Sequence, residues 1–241
     1  MLKRKKNMPL IVGSMIVGGF LLIALFAPIL APCDPHEMGI PYIKPCAEHL
    51  LGTNDVGQDI FSELLYGTRV SLMIGVFTAV IVMVVATGMA LLSGYYGGII
   101  DKVVTAVTNI TMALPSLALT VLLVAYLNPG KLSIIIAISL GMGDAVIMIK
   151  HIVPNLKDLI LTRAALAISS AMMTEAGLSF LGLGDYGEKS WGSILHYAFY
   201  QNGVIRNYYW WYLPPILCTS LATLGFMLMG YYGMQRRRKT C

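Results

Sequence analysis

Charge is scarce in this chain. Of 241 residues only 12% are Asp, Glu, Lys or Arg, whereas a soluble domain carries about 25% because its surface faces water. Half that supply cannot coat a folded particle of 26.2 kDa. With 57% apolar residues and a mean hydropathy of +0.73, the composition is that of an integral membrane protein. The same figures exclude a disordered chain, and four cysteines are too few for a disulfide scaffold of this length. Two-residue hydrophobic alternation is also missing, which excludes a transmembrane barrel. There is no phosphate loop of the G-x-x-x-x-G-K-[ST] type, no H-E-x-x-H and no G-x-S-x-G. No ATPase, zinc-protease or serine-hydrolase site is therefore expected, and no cofactor.

The charge that is present sits mostly at the ends. Lys3, Arg4, Lys5 and Lys6 precede the first apolar run, and Arg236, Arg237, Arg238 and Lys239 follow the last. Basic clusters abutting apolar runs resist translocation, which places both termini in the cytoplasm. A nucleic-acid arm is the rival reading and is set aside on those apolar neighbours. Leu10–Leu30 exceeds a signal-peptide core of about 7–15 residues and is read as a permanent anchor. Val70–Ile100, Val103–Gly130 and Asn207–Gln235 are likewise free of charge. Leu132–Val153 is interrupted by Asp144, Lys150 and His151, and Ala164–Leu183 by Glu175. Each run reaches about the 20 residues needed to cross hydrocarbon, and only helices satisfy their own backbone there. The expected fold is thus all-α, with about six transmembrane helices. Residues 1–30 would form the cytoplasmic start and first helix, 31–69 an external loop, 70–235 the transmembrane core and 236–241 a basic cytoplasmic tail. Within the external loop, Asp59–Tyr66 is expected as an amphipathic helix lying on the outer face.

Several residues carry more than one reading. Glu175 is an acid within an apolar run. It lines a pathway or pairs across helices by default, and a purely structural hydrogen bond is the alternative. Cys33-x-x-His36 and Cys46-x-x-His49 double a Cys-x-x-His pattern in the external loop. Four such ligands suit zinc or nickel, a Cys33–Cys46 disulfide is equally compatible with an external loop, and the four residues are also compatible with no role. Trp210 and Trp211, among Tyr208, Tyr209 and Tyr212, read as an interfacial aromatic belt rather than a substrate platform. Gly13, Gly18, Gly19, Gly75 and Gly88 are candidates for close helix approach, and Pro115 for a bend. Cys218 and Cys241 receive no role.

Longer stretches resemble one family. His49–Ser62 (HLLGTNDVGQDIFS) followed by Leu65–Leu72 (LYGTRVSL) is similar to the segment before the second span in binding-protein-dependent ABC transporter permeases. The branch is the second permease subunit of the dipeptide, oligopeptide and nickel importers. Gly94–Gly98, Ala113–Ser116, Lys150–Asn155 and Glu175–Gly184 with Ser190-Trp191-Gly192 resemble it too, in family order from about residue 10 to 235. The resemblance implies a type I importer permease bundle in a prokaryotic cell membrane. It also implies a sister permease subunit, two ATP-binding subunits that hydrolyse ATP, an external substrate-binding protein, and di- or oligopeptides or nickel as cargo. A non-transporting structural or regulatory remnant of such a permease is the alternative.

The departures bear on coupling to the ATPase. Leu140–Asp144 aligns with the centre of the family's cytoplasmic Glu-Ala-Ala loop, yet follows directly on the start of the fourth span, Leu132–Ser139. About thirty residues usual in the family are missing, and the Glu-Ala-Ala with them. Asn109 replaces the usual Asp, and no proline stands between Gly184 and Ser190. Gly141, Asp144, Lys150, His151, Pro154 and Asn155 are what remain of the expected coupling segment. If Leu132–Ile149 crosses the bilayer, Asp144 enters lipid at about 2.5–3.5 kcal/mol near its centre. If Gly141–Asn155 is cytoplasmic, Leu132–Leu140 covers only about 14 Å at 1.5 Å per residue. Neither option keeps a full span and a full coupling helix, so weak coupling through this subunit is expected. Cross-linking from Lys150→Cys to the ATPase groove tests this. Efficient nucleotide-dependent cross-linking, with transport equal to that of a full-length relative, would contradict it.

Overall fold

Backbone amides in an apolar run find partners only in one another, and the charge-free runs accordingly wind into helices. The computed structural model describes residues 8–113, 118, 120–122, 156–185 and 187–237. Among them the helices are α1 (Met8–Leu30), α2 (Ile60–Tyr96), α3 (Gly98–Ala113), α4 (Leu156–Phe180), α5 (Trp191–Tyr200) and α6 (Tyr209–Arg237). Described residues contain no strand, only an isolated bridge between Thr53 and Asp59. Helices α1, α2 and α6 contain apolar stretches long enough to cross a membrane, Met8–Leu30, Ile60–Gly94 and Tyr209–Gly233. The expected fourth span, Pro115 and the whole coupling segment (Gly141, Asp144, Lys150, His151, Pro154 and Asn155) lie outside the described residues.

The amphipathic segment Asp59–Tyr66 is not a separate surface helix. It forms the first turns of α2, which runs unbroken for 37 residues. The cause is a strong N-cap: Asp59 Oδ2 accepts from the Ser62 amide at 2.8 Å and from its hydroxyl at 2.7 Å. Within this segment Ser62, Glu63, Leu64 and Leu65 are buried in protein. At 1.5 Å per residue α2 is about 55 Å long, well beyond the roughly 30 Å of hydrocarbon. Its far end stops at Gly97 and Gly98, whose φ values of 56° and 53° turn the chain into α3. Ser93 then hydrogen-bonds Asp101 across that turn.

Helix α4 packs on both α2 and α6, and α6 also packs on α1. One apolar core joins Val17 of α1, Leu64 and Leu72 of α2, Ala165 and Met172 of α4, Trp191 of α5, and Ala222 and Phe226 of α6. A second lies at the α5 end, where Ile60, Ile194, Ala198, Trp210 and Trp211 meet. The two tryptophans therefore do not form a belt. Trp211 is 1% exposed, its ring 6.2 Å from that of Tyr42, which in turn stacks on Tyr208 at 4.8 Å. Burying both indoles removes more apolar area from water than a half-wet interfacial position would.

Of the five glycines expected to permit close approach, two do so. A Cβ on Gly13 would stand 2.8 Å from the Gly225 carbonyl, and one on Gly75 would stand 2.6 Å from Met172 Cγ. Gly18, Gly19 and Gly88 have nothing within 4 Å. Gly13→Leu is accordingly expected to force α1 off α6 and cost about 1–3 kcal/mol of overpacking. Gly18→Leu is the matched control and should leave the thermal midpoint of the detergent-purified protein unchanged. Equal midpoints for the two variants would refute the close crossing.

Candidate functional site: a polar joint between α2, α4 and α5

A carboxylate that leaves water must find donors, and the fold places two such groups along one face of α2. Glu175, on α4, is fully buried. Its Oε1 accepts from the Ser179 hydroxyl, one helical turn on, at 2.8 Å, and its Oε2 from Ser71 of α2 at 3.3 Å. Ser71 Oγ in turn accepts from the Trp191 amide at 3.3 Å. Ser190, whose hydroxyl lies beside the same carboxylate, caps α5 in a capping box with Ser193. Trp191 donates its indole N–H to the Leu64 carbonyl at 3.2 Å. Gly192 completes the fit, because a Cβ there would meet the Ala176 carbonyl at 2.7 Å.

The second group is Glu63, one turn into α2. Its Oε1 accepts from Asn54 Nδ2 at 2.9 Å and from the Lys189 ammonium. Lys189 also donates to Gln58 Oε1, which accepts from Asn54 Nδ2 at 3.0 Å. The other end of the Asn54 amide accepts from the Val56 and Gln58 backbone at 3.0 and 2.9 Å, which shapes the loop that carries it. Thr53 ties the same loop inward, donating to the Ile40 carbonyl at 2.7 Å and accepting from the Ile43 amide at 2.9 Å. Gln201, just past α5, donates to Asp55 at 2.7 Å. The segment Thr53–Asp59 is thus polar by composition but buried through much of its length, with its side chains engaged in these contacts.

The Cys-x-x-His residues do not assemble. Among the described residues no group of three or more His, Cys, Asp or Glu stands where it would hold a metal. His49 Nδ1 pairs with Asp59 Oδ1 at 3.0 Å, while His36 is exposed, its amide bonded to Asp34 at 2.8 Å. Cys33 and Cys46 are free thiols, so no disulfide closes the loop. Burial, then the charges of Asp59 and Glu37, push the Cys33 thiol above its ordinary pKa, which lowers the thiolate fraction that a metal requires. Glu63, Lys189, Asn54 and Gln58 were not singled out from sequence as site residues. The available signal was a lone lysine directly before Ser190-Trp191-Gly192, with an acid inside the other motif block.

No family model matches the chain. Curated relatives do. The dipeptide transport system permease protein DppC of Alkalihalophilus pseudofirmus is 33% identical over 259 residues, covering 94% of this chain and 84% of that protein. The chain belongs to the dipeptide and oligopeptide permease family of ABC importers. Oligopeptide permease OppC of Bacillus subtilis is 30% identical, with 95% and 85% covered. Glutathione permease GsiD of Pectobacterium atrosepticum is 29% identical, with 91% and 83% covered. A match of 259 residues drawing on 94% of 241 leaves about thirty positions without a counterpart in this permease. The permease is a multi-pass membrane protein and a transport subunit.

Glu175→Leu in this permease leaves the Ser71 and Ser179 hydroxyls without their acceptor, at about 1–3 kcal/mol. Glu175→Gln should cost less, because the amide oxygen still accepts. Detergent unfolding followed by tryptophan fluorescence reads both, with Trp191 as a local reporter. Equal losses would mean that charge, and not hydrogen bonding, holds the joint.

Proposed function

We propose that the chain is the membrane-spanning permease subunit of an ATP-driven, binding-protein-dependent importer of small peptides in a prokaryotic cell membrane. The match over most of both chains to permeases named for dipeptides, oligopeptides and glutathione carries this reading. Both termini face the cytoplasm, in keeping with the basic clusters beside α1 and α6. Loop 31–59, α5 and the start of α6 then lie on the external side, and the core from about residue 70 to 235 provides the transmembrane bundle. A sister permease completes the pathway, two separate subunits bind and hydrolyse ATP, and an external protein delivers substrate. Alternating access comes from the two permeases moving against each other. Whatever remains of the coupling segment, Gly141 to Asn155, contacts the ATPase. Glu175 serves as an interhelical tie; its burial and its hydroxyl partners on α2 and α4 support that role over a pathway role.

Cells expressing all subunits should accumulate a labelled dipeptide, and removal of this chain should abolish uptake. The isolated chain should bind no ATP at micromolar concentration. Unchanged uptake without it would favour the non-transporting remnant, and tight ATP binding would overturn the subunit assignment.

A further inference from the structure

Three consecutive residues, Lys189, Ser190 and Trp191, fasten α5 to the long helix α2 at successive levels. Lys189 reaches Glu63 and Gln58. Trp191 reaches the Leu64 carbonyl through its indole and Ser71 through its amide. Ser190 caps α5 beside Glu175 of α4. On its other side α5 joins the start of α6 and the long loop in one cap. Ile194 and Ala198 pack with Trp210 and Trp211 at the start of α6, and Gln201 holds Asp55 of the long loop. The cap and the bundle therefore meet through a polar joint. Apolar side-chain contacts tolerate small displacements as long as volume is kept, whereas a network of buried hydrogen bonds fixes one register. The Glu63 side chain is 1% exposed and that of Lys189 19%, so the fastener has an inner anchor and an end that reaches solvent.

We propose that Lys189–Trp191 is the link through which an event on the solvent face of the cap moves α2 and α4, with Lys189 and Glu63 as its positioning residues. The proposal rests on the importer reading, in which that event is docking of the substrate-loaded binding protein. Packed elements with discrete hydrogen-bonded arrangements transmit such shifts as rigid bodies.

The test uses the whole importer reconstituted in liposomes, with the four native cysteines replaced by serine. The pair Glu63→Cys with Lys189→Cys removes both charges together, so neither is left buried alone. The readout is the ratio of binding-protein-stimulated to basal ATPase activity, before and after bridging the two thiols with a bifunctional reagent. The unbridged pair should lose stimulation roughly five- to tenfold, at the lower end of ordinary site-to-site coupling, and the bridge should restore it. Full stimulation in the unbridged pair, no rescue by the bridge, or failure of the variant complex to assemble would each overturn the proposal. Absence of stimulation in the parent complex would instead overturn the importer reading, and the proposal with it.

Discussion

Burying a carboxylate among apolar helices is costly unless donors meet it on arrival, and much of the architecture around α2 follows from that requirement. Glu175 needs acceptor-directed hydroxyls, so Ser71 and Ser179 flank it. Glu63 needs a cation, so the chain between α4 and α5 brings Lys189 to it. Both demands are met against α2, by Ser71 for Glu175 and at Glu63 itself, and Ser190 and Trp191 sit between them. The position of α5, and through it the tryptophans at the start of α6, is set by where two acids find their partners.

The apolar contacts supply most of the stabilising area and little of the register. Val17, Met172, Trp191 and Phe226 share one core, and such side chains tolerate small displacements as long as volume is kept. Two features resist displacement. One is backbone contact at glycine, as where α1 meets α6 at Gly13 and Gly225. The other is the polar joint, where a shifted residue leaves a buried donor or acceptor unmatched. Membrane helices gain no hydrophobic drive from leaving lipid for one another, so these two devices carry much of the specificity.

The same physics explains why the segment Thr53–Glu63 is buried through much of its length although its composition is polar. Its polar residues are ordinary signals for solvent, and in Asp59–Tyr66 their spacing suggests an amphipathic helix. In the fold Asn54, Gln58, Asp59 and Glu63 turn inward and satisfy one another, His49 and Lys189. His49 pairs through Nδ1 with Asp59, and among the described residues no group of three or more His, Cys, Asp or Glu stands where it would hold a metal. A polar side chain reports its need for a partner, and the sequence does not say whether water or another residue meets it.

What the sequence determined alone is what depends on local composition. Long charge-free runs require helices, scarce charge requires a bilayer, and the blocks at His49–Leu72 and Glu175–Gly192 carry the family resemblance. Asp59 as a helix start is also local, since its cap acts within a few residues, whereas the stop at Gly97 and Gly98 inside the charge-free run Val70–Ile100 is a finding of the structure. What only the tertiary structure decided is which polar groups meet. Lys189 and Glu63 are 126 residues apart, and Ser71 and Glu175 are 104 apart. Hydrogen bonds between groups so distant depend on the packing of α2, α4 and α5 against one another. No residue's immediate neighbours in the chain encode that packing.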